Sequence, residues 1–132
     1  MFRIVTKALV FKGNEILILK RASKSKFGKD LWDIPGGKLN FGEEPLEGLL
    51  REIYEETSLS ISPKSIIDVS SGIDNEKGIQ YVTITYLCDY VSGEVRLNDE
   101  NKEFAWANIK NMKDYNKMYY LEQSLDKYLK SL

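Results

Sequence analysis

Pro35-Gly36-Gly37-Lys38-Leu39-Asn40-Phe41-Gly42-Glu43-Glu44-Pro45-Leu46-Glu47-Gly48-Leu49-Leu50-Arg51-Glu52-Ile53-Tyr54-Glu55-Glu56-Thr57-Ser58-Leu59 is the stretch from which the rest of the chain is read. Its second half predicts a helix over 43–56. Glu43 and Glu44 stand in the first turn, where the helix dipole favours anions, and Pro45 is tolerated there because a first-turn N–H has no intrahelical partner. Leu46, Leu49, Leu50 and Ile53 fall at i, i+3, i+4 and i+7, the pattern of one apolar face. Ser58 and the run Ser60-Ile61-Ser62-Pro63 are expected to end the helix. Its first half supplies backbone freedom at Gly36-Gly37 and a turn at Phe41-Gly42.

Outward from this segment the pattern is mostly strand. Residues 2–11 and 15–20 are β-branched, aromatic or alternating, and Lys12-Gly13-Asn14-Glu15 between them is a turn, which gives a hairpin. The polar stretch 23–30 reads as a loop, and Trp32-Asp33-Ile34-Pro35 as a short strand stopped by its proline. After the helix, 65–71, 79–90 and 103–107 read as strands. Residues 118–132 read as a C-terminal helix with Tyr120, Leu121, Leu125, Tyr128, Leu129 and Leu132 on its buried side. No internal repeat or linker interrupts the order strands, helix, strands, helix, so the expectation is one α+β domain over 1–132, a sandwich built on a mixed sheet.

Composition narrows the chemistry. Of 132 residues, 42 % are hydrophobic and 30 % charged, with a net charge of −1. This is an ordinary globular balance and disfavours a general nucleic-acid partner. The local basic run Lys20, Arg21, Lys24, Lys26 and Lys29 suits either a solvated loop or one that faces phosphate. The lone Cys88 excludes an internal disulfide and lies in an apolar run as a core thiol. There is no histidine, so Ser-His-Asp and Cys-His catalysis and histidine-built zinc sites are excluded. Any catalysis here rests on carboxylates, lysine, arginine, tyrosine or an oxygen-held metal. With no apolar leader at the N-terminus and no membrane-length apolar run, the expectation is a cytoplasmic protein without a membrane partner.

Glu52, Glu55 and Glu56 lie at i, i+3 and i+4, so a helix brings their carboxylates to one face, where like charges repel. A solvated acidic face is one reading; a divalent cation such as Mg²⁺, which prefers hard oxygen ligands, is the other. The full spacing decides between them. Gly37, five residues, Glu43, seven residues, and then Arg51-Glu52-Ile53-Tyr54-Glu55-Glu56-Thr57-Ser58-Leu59 resembles the Nudix box, GX5EX7REUXEEXGU with U aliphatic. Gly37, Glu43, Arg51, Glu52, Ile53, Glu55, Glu56 and Leu59 match. Ser58 departs, standing where the family has glycine, and Asn40 stands where many members carry glutamate. The flanking hairpin, the basic loop and the segment Glu103-Phe104-Ala105-Trp106 extend the resemblance over nearly the whole chain.

The resemblance implies a Nudix-type α/β/α sandwich with a loop-helix-loop motif. It also implies Mg²⁺, with Mn²⁺ as the alternative, held by Glu52, Glu55, Glu56 and a backbone carbonyl of the Gly36-Gly37 turn, that of Gly37. The implied activity is hydrolysis of a phosphoanhydride bond in a nucleoside diphosphate linked to another group X. Glu52 or Glu55 is expected as base. Glu100, six residues before Trp106, is a further candidate for base and metal ligand, with Glu103 behind it. Arg51 is expected to orient a glutamate, Glu43 to play a structural part, and Arg21 to reach a phosphate. A nucleoside triphosphate, normal or oxidised, cut to monophosphate and pyrophosphate is the favoured substrate. An ADP-ribose or nucleotide-sugar pyrophosphatase is the first alternative, although no proline follows Pro63 and position 75 is Asn. A nucleotide-sensing domain without catalysis is the second. An asparagine that recognises oxidised guanine would fall near Leu121, with Asn116 needing an offset. Phe2, Phe27, Tyr81 and Phe104 are candidates for stacking on a base. A small-molecule nucleotide is the expected partner, and a homodimer is left open.

Overall fold

A computed structural model of the chain describes residues 1–22 and 30–132. The expected loop over 23–30 therefore lies almost wholly outside the described residues, as do Phe27, Lys24, Lys26 and Lys29. Seven strands form one mixed sheet: β1 (Phe2–Lys12), β2 (Glu15–Arg21), β3 (Trp32–Asp33), β4 (Gly36–Lys38), β5 (Ser60–Asp74), β6 (Ile79–Ser92) and β7 (Asn101–Asn108). Two helices cover it, α1 (Pro45–Thr57) and α2 (Tyr119–Lys130), with a 3₁₀ turn over Ile109–Asp114. The main path runs β3-β2-β1-β6-β5; β4 pairs with β1, and β7 with β2. Among the described strands, β1 and β6 are the one parallel pair.

The central strands are apolar on both faces because each face has a helix to meet. Ala8, Val10, Leu17 and Leu19 turn one way, onto Leu49 and Ile53 of α1. Leu9, Ile16 and Ile18 turn the other way, onto Leu121 and Leu125 of α2. This alternation makes the α/β/α layering, and each strand side chain falls to one layer or the other. Cys88 is a core thiol, as expected, and burial pushes it up to about 12.

Several elements differ from the sequence reading. Gly36–Lys38 is not merely flexible backbone but a short strand on the N-terminal half of β1. The run Ser60-Ile61-Ser62-Pro63 does not close the helix; it opens β5, which is longer than the expected 65–71. Proline is accommodated because β5 is an end strand whose register shifts between Pro63 and Ser65. Leu46 and Leu50 do not pack on the sheet: they are 47 % and 42 % exposed, and the buried α1 residues are Gly48, Leu49, Ile53, Glu56 and Thr57. Leu129, at the end of α2, and Leu132, beyond it, are exposed as well, so the buried side of the C-terminal helix is narrower than expected.

Ser58 takes the left-handed position after α1, at φ 64°, with its N–H bonded to the carbonyl of Tyr54. A left-handed residue at this place is normally glycine because a Cβ is strained there. Ser58→Gly is expected to stabilise the fold by about 1 kcal/mol, readable as a rise of about 4 °C in thermal melting. An unchanged or lower Tm would show that the serine side chain contributes a compensating contact.

Candidate active site

The site grows from the side of α1 that faces β4. Arg51 is its organiser. Its guanidinium pairs with Glu43 through two bonds, Nε to Oε2 at 2.7 Å and Nη2 to Oε1 at 2.9 Å. It also donates to Glu52 at 3.0 Å, to Glu55 at 3.3 Å and to the carbonyl of Lys38 at 3.3 Å. A bidentate guanidinium–carboxylate pair is both strong and directional. It holds the Glu43 carboxyl at about 2, helped by the Asn40 N–H, and raises Arg51 in turn. Glu43 thus ties the turn before α1 to the middle of the helix, and Arg51 fans the remaining carboxylates.

Glu52 and Glu56 approach β4 in different ways. The Glu52 carboxylate lies against the Cα of Gly37, where a Cβ would come within 2.5 Å of Oε2. That close approach is why glycine stands there. Glu56 is not on an exposed face, contrary to the helical-wheel expectation; it is 5 % exposed. Gly36 N–H donates to its Oε1 at 2.7 Å and the Asn101 amide to its Oε2 at 3.0 Å. Both donors favour the carboxylate, yet burial outweighs them and raises its pKa above the ordinary range, with Lys7 opposing. Glu55 is the outermost of the three, its side chain 55 % exposed.

The segment before β7 closes the site on the C-terminal end of α1. Arg96 N–H donates to the Thr57 carbonyl and Asn98 N–H to the Glu56 carbonyl. Glu100 lies on this rim. It is exposed; its carbonyl accepts from Ala22 N–H, and it directly precedes Asn101. Glu103 stands opposite Lys20 in the β2–β7 ladder.

Behind Gly36 is a charged cluster that sequence reasoning missed. Lys7, on β1, has a side chain only 5 % exposed, and its ammonium donates to Asp33 and to the carbonyls of Ile34 and Gly36. Asp33 also accepts from the Tyr120 hydroxyl, and burial with the Asp33 charge raises Tyr120 well above its ordinary pKa. Arg21 belongs to this cluster, its Nε 3.6 Å from Asp33. A lysine at an otherwise apolar inward position of β1 was the available signal. Asn101 offered none, sitting in a polar run like any loop asparagine. Of the proposed base-reading positions, Leu121 is fully buried core, so no ligand meets it, while Asn116 is exposed and its carbonyl pairs with Trp32.

Among the described residues, no three acidic side chains stand as a ready-made metal cage. The donor set nevertheless fits a hard divalent cation. Glu43, Glu52, Glu55 and Glu56 bring four carboxylates against one arginine and the more distant Lys7, and all the side-chain donors are oxygens. Glu52 lies against Gly37 and Glu56 accepts from Gly36, so both carboxylates sit beside β4.

A mixed-sheet α/β/α sandwich with an arginine-organised glutamate helix beside a double-glycine strand defines the class. The chain belongs to the NUDIX domain family, whose model matches residues 1–129. It is 31 % identical over 109 residues to an ADP-ribose pyrophosphatase of Methanocaldococcus jannaschii, covering 83 % of this chain and 63 % of the relative. It is 39 % identical over 57 residues to an 8-oxo-dGTP diphosphatase of Proteus vulgaris, covering 43 % of this chain and 50 % of that protein. The chain thus spans less than two thirds of these relatives. Among solved structures, a MutT protein from Methanosarcina mazei Go1 superposes with a TM-score of 0.87 at 26 % identity, over 98 % of this chain and 94 % of that one.

Proposed function

We propose that the protein hydrolyses a phosphoanhydride bond in a nucleoside diphosphate linked to another group, with Mg²⁺ or Mn²⁺ as cofactor. The observation that carries this reading is the glutamate set fanned by Arg51 and pinned against Gly36-Gly37. Glu52, Glu55 and Glu56 would hold the cation, with a backbone carbonyl at Gly37 and with Glu100 at the rim. The bound cation would supply charge neutralisation of the diphosphate and an acidified water.

The protein's own residues do the rest. Gly36 N–H and the Asn101 amide fix the orientation of Glu56. Arg51 donates to both Glu52 and Glu55 and so sets the spacing between them. A water attacks phosphorus, and Glu52 or Glu55 accepts its proton; Glu55, the more exposed, is free to turn toward solvent. Arg21 stands at the end of β2, where its guanidinium can exchange Asp33 for a phosphate.

Glu55→Gln is expected to cut kcat by about 10³-fold, and Glu100→Gln by less than about tenfold. A collapse in Glu100→Gln equal to that in Glu55→Gln would move the base to the rim.

Nucleoside triphosphates, normal or oxidised, are the first substrate class. ADP-ribose is the second reading, favoured by the archaeal relative that aligns over most of this chain. Product analysis separates them: a triphosphate gives the monophosphate and pyrophosphate, whereas ADP-ribose gives AMP and ribose 5-phosphate. Nucleotide binding without turnover of any compound would replace both with a sensing role.

A further inference from the structure

We propose that two copies of this chain associate edge to edge through β5, in an antiparallel pairing centred on Ser71. Among the described residues, β5 is the end strand of the sheet and pairs only with β6. Its first half is blunted by Pro63 and by register shifts up to Asp68. From Val69 to Asp74 the ladder with β6 is unbroken, and the run Val69-Ser70-Ser71-Gly72-Ile73 carries no charge and no proline. An uncharged strand edge is a template for another strand unless something covers it.

The register favours a second copy over an unrelated strand. A two-fold axis through Ser71 sets Val69 opposite Ile73 of the other copy at both ends, with serine facing serine between them. Val69 and Ile73 are 56 % and 60 % exposed. Alternation puts them on the same face, the one covered by α1. Directly opposed β-branched pairs are the stabilising unit of a sheet. On the other face Ser70 meets Gly72, both small. A centre moved by one residue sets Val69 against Ser71, or Ile73 against Ser71, and loses the apolar match. A self-complementary patch of this kind closes into a symmetric dimer.

Exposed apolar side chains continue inward from this edge. Ile66 and Ile4 are exposed on the same sheet face, and the helical period puts Leu46 and Leu50 on the flank of α1 away from Glu52.

Sedimentation analysis of the whole chain is expected to show a dimer of 15.2-kDa subunits. Val69→Lys and Ile73→Lys should each give a folded monomer by circular dichroism, because both side chains are outside the core. Ser71→Cys is expected to cross-link into a disulfide dimer under mild oxidation, since directly opposed residues lie within disulfide reach. Lys130→Cys, on exposed α2, should not, and Cys88 is buried and takes no part. A wild-type monomer at high micromolar concentration overturns the proposal. A dimer that survives both lysine variants, with no cross-link at position 71, overturns it as well.

Discussion

Glu56→Gln is expected to lower turnover by about 10²–10³-fold while raising the thermal stability of the metal-free protein. The two effects have one cause. Glu56 is a buried carboxylate whose pKa is raised by desolvation, so its ionised form is disfavoured in the folded state. A group raised in this way contributes most to stability below its ordinary value of 4.5, and that contribution is lost as the pH climbs through the elevated pKa. Glutamine keeps the oxygen that accepts from Gly36 and carries no charge. Its amide nitrogen meets Asn101, whose own amide can rotate to present oxygen. At neutral pH the variant should therefore melt higher, by about 2–4 °C for about 1 kcal/mol. Below pH 4.5 the two proteins should converge. A variant that melts lower at every pH would mean that the Gly36 and Asn101 bonds need the negative charge more than burial disfavours it.

Glu52→Gln should cost about 10³-fold in kcat, and Gly37→Ala should reproduce much of that loss without touching a carboxylate. A methyl at position 37 would meet Oε2 of Glu52 at 2.5 Å. Gly37 is not in the left-handed region, so alanine suits its backbone; the side chain that must move is the flexible end of Glu52. Gly37→Ala is thus expected to lower activity about 10²-fold, in the range seen when the support of a metal ligand is disturbed, with little change in Tm. Full activity in Gly37→Ala would show that the position of Glu52 is not critical. A large fall in Tm would show that the glycine serves the sheet rather than the site.

Helical spacing puts Arg51, Glu52 and Glu55 near one another, but the box could be read only because the whole run from Gly37 to Leu59 resembles the family's motif. The sandwich was legible from the order strands, helix, strands, helix; that EILILK at 15–20 is a strand buried on both faces, rather than an alternating one, emerges only with a helix on each side. What could not be read depends on contacts distant in the chain. Glu56 looked like the third member of an exposed trio until Gly36, twenty residues before it, and Asn101, forty-five after it, were seen to enclose it. Leu46 and Leu50 have the spacing of a buried stripe, but α1 rests on the sheet through Leu49 and Ile53. Periodicity gives the face of a helix and not its angular width. Lys7 is the converse case: a charge inside an apolar strand, intelligible only once Asp33 and the backbone of 34–36 are placed around it.

The most direct test of the central claim is turnover of a nucleoside triphosphate panel and ADP-ribose with Mg²⁺, with EDTA, and with Glu52→Gln in place of the wild type. The expected result is hydrolysis of one class, abolished by chelation, restored by added Mg²⁺ or Mn²⁺, and nearly absent in the variant. Hydrolysis that persists in EDTA, or that Glu52→Gln leaves unchanged, would contradict a metal-assisted glutamate site on α1.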